Sequence, residues 1–372
     1  MKILYITTIS ATINGFFKPH IDMLVSEGHQ VDIACNDSDM PLDELFERLG
    51  CRFYRVDFSR SPLSKENLRA WGQLKKVVKE GGYDIVHCHT PNASVITRLV
   101  CRKYRRKHGL KVFYTAHGFH FYKGAPMLNW MVFYPVEKLC ARFTDKLITI
   151  NKEDYALAKK KFHPGEVCYV PGVGVDLSRF ENVQVDRAAK RREIGVPEEA
   201  FLLLSVGELN ENKNHQIIIR ALAGLKNPQI HYAIAGLGEK HDSLLALAEE
   251  LGIRERVHLL GYRKDVVELY HCADVFCFPS YREGLSVSLM EAMACSLPVV
   301  CSRIRGNVDL IDEKGGKLFD PRDLESCLSA LHSAADDKEH RMGEHNSRRI
   351  RGFSETAVLD AMRSIYFEYV EN

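Results

Sequence analysis

The chain has 372 residues, 45% hydrophobic and 27% charged, enough apolar material for two ordinary globular domains. A formal net charge of +2 excludes a protein held to polyanions by bulk charge, and no run of about eighteen apolar residues is present to span a membrane. The eleven cysteines include no Cys-x-x-Cys pair, and several (Cys35, Cys88, Cys168, Cys277, Cys301) fall inside strand-like runs. They read as buried free thiols of a reducing compartment, so a cytoplasmic protein is expected, with peripheral contact at the inner face of the plasma membrane as a further expectation.

Taken in order, the elements alternate. Residues 2–7 read as a strand, because the apolar run is too short for a signal peptide and lacks a small-residue cleavage site. A loop over 8–15 containing Asn14-Gly15 follows, then a helix over 17–27. Strands are expected at 30–36 and 52–58. An amphipathic helix over 66–80 stops at Gly81-Gly82. Further strands are expected at 84–89, 111–117, 146–150 and 167–170. Residues 182–199 are polar, with no apolar run, and read as a linker. A second series follows, with strands at 201–206, 231–235, 257–260, 275–278 and from Pro298, and a short strand at 318–319. Helices are expected at 215–223, 243–251, 266–273 and 286–295. From Leu324 the pattern is helical, and Ser354 is placed to cap a final helix over 355–369.

Strands alternating with helices predict parallel sheets covered on both faces. The fold class is therefore α/β, with two doubly wound Rossmann-like domains facing across a cleft. The expected domains are 1–181, 182–353 and a terminal helix over 354–372. In such sheets ligands bind beyond the carboxyl ends of the strands. The chemistry-bearing residues fall there: Gly15, His89, His117, Lys213, Gly236–Gly238 and the stretch from Glu283 to Glu291.

That last stretch is the most specific. Glu283 precedes a helix expected to start near Ser286, and Glu291 lies over one turn inside it. Between them is a helix N-terminus with free backbone N–H groups, suited to a phosphate. Two carboxylates flanking an anion site suit a ligand with hydroxyls on both sides of its phosphates, as in a nucleotide sugar. Lys213 follows a strand, a glycine and an Asn-rich loop, where a cation can neutralise a phosphate; the alternative is a surface lysine. His87 and His89 share a strand face but have no third ligand in reach by sequence, so no metal site is expected. Gly236-Leu-Gly238 is not extended to Gly-x-Gly-x-x-Gly, which disfavours a nicotinamide enzyme. Tyr262-Arg263 stands where it can flank a nucleobase.

The segments 84–90, 114–118, 144–151, 170–176, 206–213 and 283–294 together resemble bacterial family-four glycosyltransferases of GT-B architecture. They are especially similar to members acting in capsule, exopolysaccharide and O-antigen assembly. The resemblance implies retaining transfer from a UDP-sugar to a hydroxyl of a glycan or lipid-linked glycan, with no bound metal and no other cofactor. It implies that the terminal helix crosses back to the first domain, that Glu291 holds the ribose hydroxyls and that Glu283 sits by the donor sugar. It also puts the Gly284, Leu285 and Ser286 amides and Gly15 near phosphate or sugar, and His117 in the active site. Many relatives carry Arg directly after the strand glycine; this chain has Glu208 there. The missing cation is then sought among Arg263, Arg282 and Lys18.

The basic run Arg102-Lys-Tyr-Arg-Arg-Lys-His108 near the apolar, aromatic stretch from Met127 to Tyr134 suits an anionic membrane surface. A solvated face beside a core helix is the alternative. No recognition motif accompanies the run, so no nucleic-acid partner is expected. Two other functions fit the same fold, a nucleotide-sugar epimerase and a non-catalytic assembly partner.

Overall fold

The computed structural model describes residues 1–181, 183–336 and 341–367. By internal contacts the chain divides into two compact units, Met1–Val173 together with the residues from Val358 onward, and Gly174–Ala357.

The first unit is built on a seven-stranded sheet, β1 (Lys2–Ile9), β2 (Gln30–Asn36), β3 (Arg52–Arg55), β4 (Ile85–His89), β5 (Lys111–Ala116), β6 (Lys146–Thr149) and β7 (Glu166–Tyr169). Its order is β3-β2-β1-β4-β5-β6-β7, and every pairing is parallel. The chain winds one way from β1 to β3 and the other from β4 to β7. The switch point lies between β1 and β4, the usual place for a ligand in an open parallel sheet. β1 and β4 read as near-continuous buried runs because helices cover both faces. The Glu66–Gly81 helix ends where Gly82 takes a left-handed conformation at φ 61°, as the Gly-Gly stop predicts.

The second unit holds a six-stranded parallel sheet, β8 (Phe201–Val206), β9 (Ile230–Ala235), β10 (Val257–Gly261), β11 (Val275–Phe278), β12 (Val299–Ser302) and β13 (Gly316–Phe319). Its order is β10-β9-β8-β11-β12-β13, so the switch point lies between β8 and β11.

Three expectations change. Residues 8–15 are not a loop: β1 runs to Ile9 and a helix follows at Ser10–Phe16, which tolerates Gly15 in its last turn because no proline interrupts the sequence before Pro19. Residues 182–199 are not a bare linker. The Arg187–Glu193 helix belongs to the second unit, anchored by the buried Arg191, whose guanidinium donates to Cys272 O at 2.9 Å, Ala200 O at 2.7 Å and Asp274 Oδ2 at 2.7 Å. Polar composition concealed a charged residue that is satisfied on every side. The division at Val173/Gly174 also falls earlier than 181/182, since Val175 bridges to Ser354 and Gly174 abuts Glu355, both inside the second unit.

The final helix spans Glu355–Phe367, with Ser354 Oγ accepting from Ala357 N at 3.2 Å. Its expected extension to 369, and Asn182 of the linker, lie outside the described residues. Val358, Met362, Ile365 and Tyr366 are buried with Ile3, Tyr5, Phe113 and Ile148 of the first sheet.

Candidate active site

In the second unit, the loops after the two switch-point strands meet. After β8, Gly207 leads into a turn in which Asn210 Oδ1 accepts from Lys213 N at 3.0 Å. After β11, Tyr281 N donates to Asn212 O at 2.8 Å, and Asn212 Nδ2 donates to Arg282 O at 3.0 Å. These bonds bring Lys213 Nζ to 2.8 Å from Glu283 Oε1, both side chains mostly buried. The Lys213 ammonium also lies 4.8 Å from the centroid of the Phe278 ring, a cation–π contact.

The Val287–Ala294 helix begins where expected, with Ser286 capping Leu289 N. The loop before it is held by Arg305, which is 7% exposed and donates from Nε to Glu283 O at 3.3 Å. Gly306 is required beside it: at φ 83°, a Cβ there would lie 2.0 Å from Gly284 O. Arg305 was not singled out from sequence, although it follows a strand end, the signal that marked the other loops. Glu291 accepts a hydrogen bond from Tyr270 Oη at 2.9 Å. Burial raises its pKa above the ordinary carboxylate range, opposed by the Tyr270 bond and the Arg179 charge.

A cavity of about 690 Å³ opens at the ends of β8, β9 and β10, lined by Gly207, Glu208, Gly236, Gly238, Tyr262 and Arg263 among others. Gly236 allows the loops to touch, since a Cβ would lie 1.9 Å from Gly207 O. Arg263 lines this cavity but is already engaged, with Nε 2.8 Å from Asp265 Oδ1 and a further ion pair to Glu193. Lys18 pairs with Asp43 in the first unit, and Arg282 is exposed. Glu208 accepts from Asn210 Nδ2 at 2.7 Å, so it reaches Lys213 only through the Asn210 turn.

In the first unit, four imidazoles gather on one side of the sheet near its switch point. His87 and His89 project from β4, His117 follows β5, and His20 comes from the Lys18–Ser26 helix. His87 is bonded on both nitrogens, to Tyr366 Oη and to Thr115 Oγ1, the latter at 2.8 Å. His89 Nδ1 lies 3.2 Å from His117 Nε2. Burial holds His20 and His117 down to about 4, and His87 and His89 well below the ordinary histidine range. Gly15 is an exposed residue of the Ser10–Phe16 helix with open space around it, so no close backbone approach explains it. Asn14 is engaged with the 41–43 turn, donating to Pro41 O at 3.0 Å and accepting from Asp43 N at 3.0 Å. His120 packs on Phe133 beside an apolar cavity of about 400 Å³.

Family models match two consecutive stretches, Glycosyltransferase Family 4 over residues 21–179 and Glycosyl transferases group 1 over residues 186–349. EpsD of Bacillus subtilis, named as a glycosyltransferase, is 37% identical over all of this chain and 97% of its own. The UDP-Gal:alpha-D-GlcNAc-diphosphoundecaprenol alpha-1,3-galactosyltransferase of Escherichia coli is 27% identical over 94% of this chain and 92% of its own. Among solved structures, Anabaena HepE in complex with UDP and glucose has a TM-score of 0.78 at 19% identity, covering 99% of this chain and 100% of that one. WaaG, a glycosyltransferase involved in lipopolysaccharide biosynthesis, has a TM-score of 0.73 at 20% identity, covering 98% and 99%. Two parallel doubly wound sheets, both family models and a full-length relative agree: the chain belongs to the family-four glycosyltransferases and has their GT-B fold.

Proposed function

We propose that the enzyme moves a hexose or N-acetylhexosamine, with retention, from a UDP-sugar to a hydroxyl of a lipid-linked glycan in surface polysaccharide synthesis. The observation that carries this reading is the Lys213–Glu283 pair at the switch point of the second sheet, beside the start of the Val287–Ala294 helix. The names of EpsD and of the galactosyltransferase relative support the reaction class.

In this reading Glu291 accepts the ribose hydroxyls. Lys213 and the amides of Gly284, Leu285 and Ser286 neutralise the diphosphate as it leaves, worth most where water is excluded. The bond from the anomeric carbon to the phosphate oxygen breaks, and one to the acceptor oxygen forms on the same face. The acceptor proton passes to the departing diphosphate. Glu283 holds Lys213 before the donor arrives and faces the sugar afterwards. With Arg263 paired to acids, the buried Arg305, whose Nε donates to Glu283 O at 3.3 Å, is the cation that takes the place of the arginine replaced by Glu208. No metal ion is part of the proposal.

A membrane-borne acceptor is supported by the Met127–Ala141 helix. It exposes Met127, Leu128, Met131, Val132, Val136 and Leu139, all within one half of its circumference. Its one acid, Glu137, is buried and bonded to Arg98 at 2.8 Å. Exposed Arg102, Lys103, Arg106 and Lys107 end the neighbouring Pro91–His108 helix. An apolar face flanked by bases fits an anionic leaflet.

Incubating the purified protein with a panel of UDP-sugars, with and without membrane lipid extract, tests the reading. UDP release that requires the extract is expected. Sugar interconversion without UDP release would instead identify an epimerase, and inertness toward every donor a non-catalytic partner.

A further inference from the structure

His89 and His117 share one hydrogen bond, and its direction decides what His117 can do. A neutral imidazole has one N–H and one lone pair. The 3.2 Å contact joins His89 Nδ1 to His117 Nε2, so one of these two nitrogens donates and the other accepts. If His117 donates, His89 must carry its own proton on Nε2. That atom is buried with no hydrogen-bond partner among the described residues. Around it are the rings of Tyr5 at 4.7 Å, Phe17 at 4.2 Å and His87 at 4.1 Å between centroids. If His89 donates, Nε2 keeps only a lone pair. An orphaned buried N–H is the rarer arrangement.

From this geometry we infer that His89 is a positioning residue which donates from Nδ1 to His117 Nε2 and so fixes His117 as the neutral Nδ1–H tautomer. His117 is half-buried, and its Nδ1 takes no part in the cluster's bonds. It therefore presents a hydrogen-bond donor to a substrate oxygen and does not remove a proton. This inference rests on the active-site role proposed for His117 and deepens it. It also agrees with a reaction in which the leaving diphosphate, not a side chain, takes the acceptor proton.

Two further features hold the arrangement. Thr90, directly after His89, sits at φ 64°, a strained conformation for a β-branched residue. Thr8 retains it there, with the two hydroxyls 2.7 Å apart. The titratable groups around the pair are His20, His87, Tyr5 and Tyr366, and no carboxylate contributes to the shift of any histidine in the cluster. Nothing there offsets the burial of a second proton, so His117 stays neutral at physiological pH.

The test is histidine-labelled NMR of the full chain, with the His117 signal assigned by its loss in His117→Gln. The expected result is the Nδ1–H pattern for His117, unchanged between about pH 5.5 and 8. An Nε2–H pattern, or titration within that range, would overturn the inference. His89→Leu removes the donor but not the burial, so His117 should stay neutral, show a mixture of Nδ1–H and Nε2–H signals, and lose about tenfold in kcat/KM for transfer at neutral pH with UDP affinity unchanged. His89→Asn, whose amide N–H can replace the Nδ1 donor, should restore the Nδ1–H pattern of His117 and most of the lost rate. If the Nδ1–H tautomer is found but His117→Gln transfers at full rate, the tautomer stands and the proposed role of His117 falls.

Discussion

Glu291 carries its charge against its surroundings. Burial raises its folded pKa above that of the unfolded chain, so folding favours its protonated form. Its contribution to stability is most favourable below the unfolded pKa and is lost as pH rises through the folded pKa. Glu291→Gln should therefore raise Tm at neutral pH, with Tyr270 still able to donate. The same change should weaken UDP about ten- to a hundredfold by isothermal titration, the scale of hydrogen bonds to a charged group. In the wild type, UDP affinity should begin to fall with acidification at a higher pH than an ordinary glutamate would give. An unchanged UDP affinity in the variant would remove Glu291 from the donor site. Glu283→Gln separates the other carboxylate's role: UDP binding is expected to stay within about twofold while transfer falls at least a hundredfold. The placement of Glu283, Ser286 and Glu291 on loop, cap and helix was legible because those elements are adjacent in the chain. The Lys213–Glu283 pair was not, since its partners are 70 residues apart and meet only because β8 and β11 are neighbours. The His89–His117 bond was hidden for the same reason, set by the register of β4 on β5.

At the scale of elements, the Met127–Ala141 helix shows what periodicity leaves open. Its apolar residues announce burial, yet the structure buries Cys140 and Ala141 and leaves Met127, Leu128 and Met131 about two-thirds exposed or more. Which face is covered depends on the Pro91–His108 helix packed beside it, not on its own composition. The region 182–199 errs in the other direction, with Arg191 buried in a stretch that composition assigns to solvent. If the exposed face serves a bilayer, Leu128→Asp with Met131→Asp should leave Tm nearly unchanged, because neither side chain is in the core. Co-sedimentation with phosphatidylglycerol vesicles should fall about tenfold or more, from lost apolar insertion and added repulsion. Raising salt should weaken wild-type binding through the bases at the end of the Pro91–His108 helix. Equal sedimentation of variant and wild type would assign this face to some other partner.

At the scale of the molecule, the last helix ties the chain's end to its beginning. The alternation of strands and helices made both sheets legible, but not that the first core needs residues from beyond 357. Val358, Met362, Ile365 and Tyr366 are each 8% exposed or less and lie against Ile3, Tyr5 and Phe113. Burying a large apolar side chain contributes about 1.5–3 kcal/mol, so four of them together approach the whole stability of an ordinary domain. Tyr366 adds its bond to His87, whose other nitrogen holds Thr115. The second unit loses little by contrast, since its own contacts end at Ala357. A chain stopped after Ala357 should therefore lose the calorimetric transition of the first unit, or show it at a much lower temperature. The transition of the second unit should remain, and UDP should still raise its midpoint by mass action. Transfer should be abolished, because His117 belongs to the unit that has lost its order. Loss of both transitions together would show instead that the two units fold as one cooperative body.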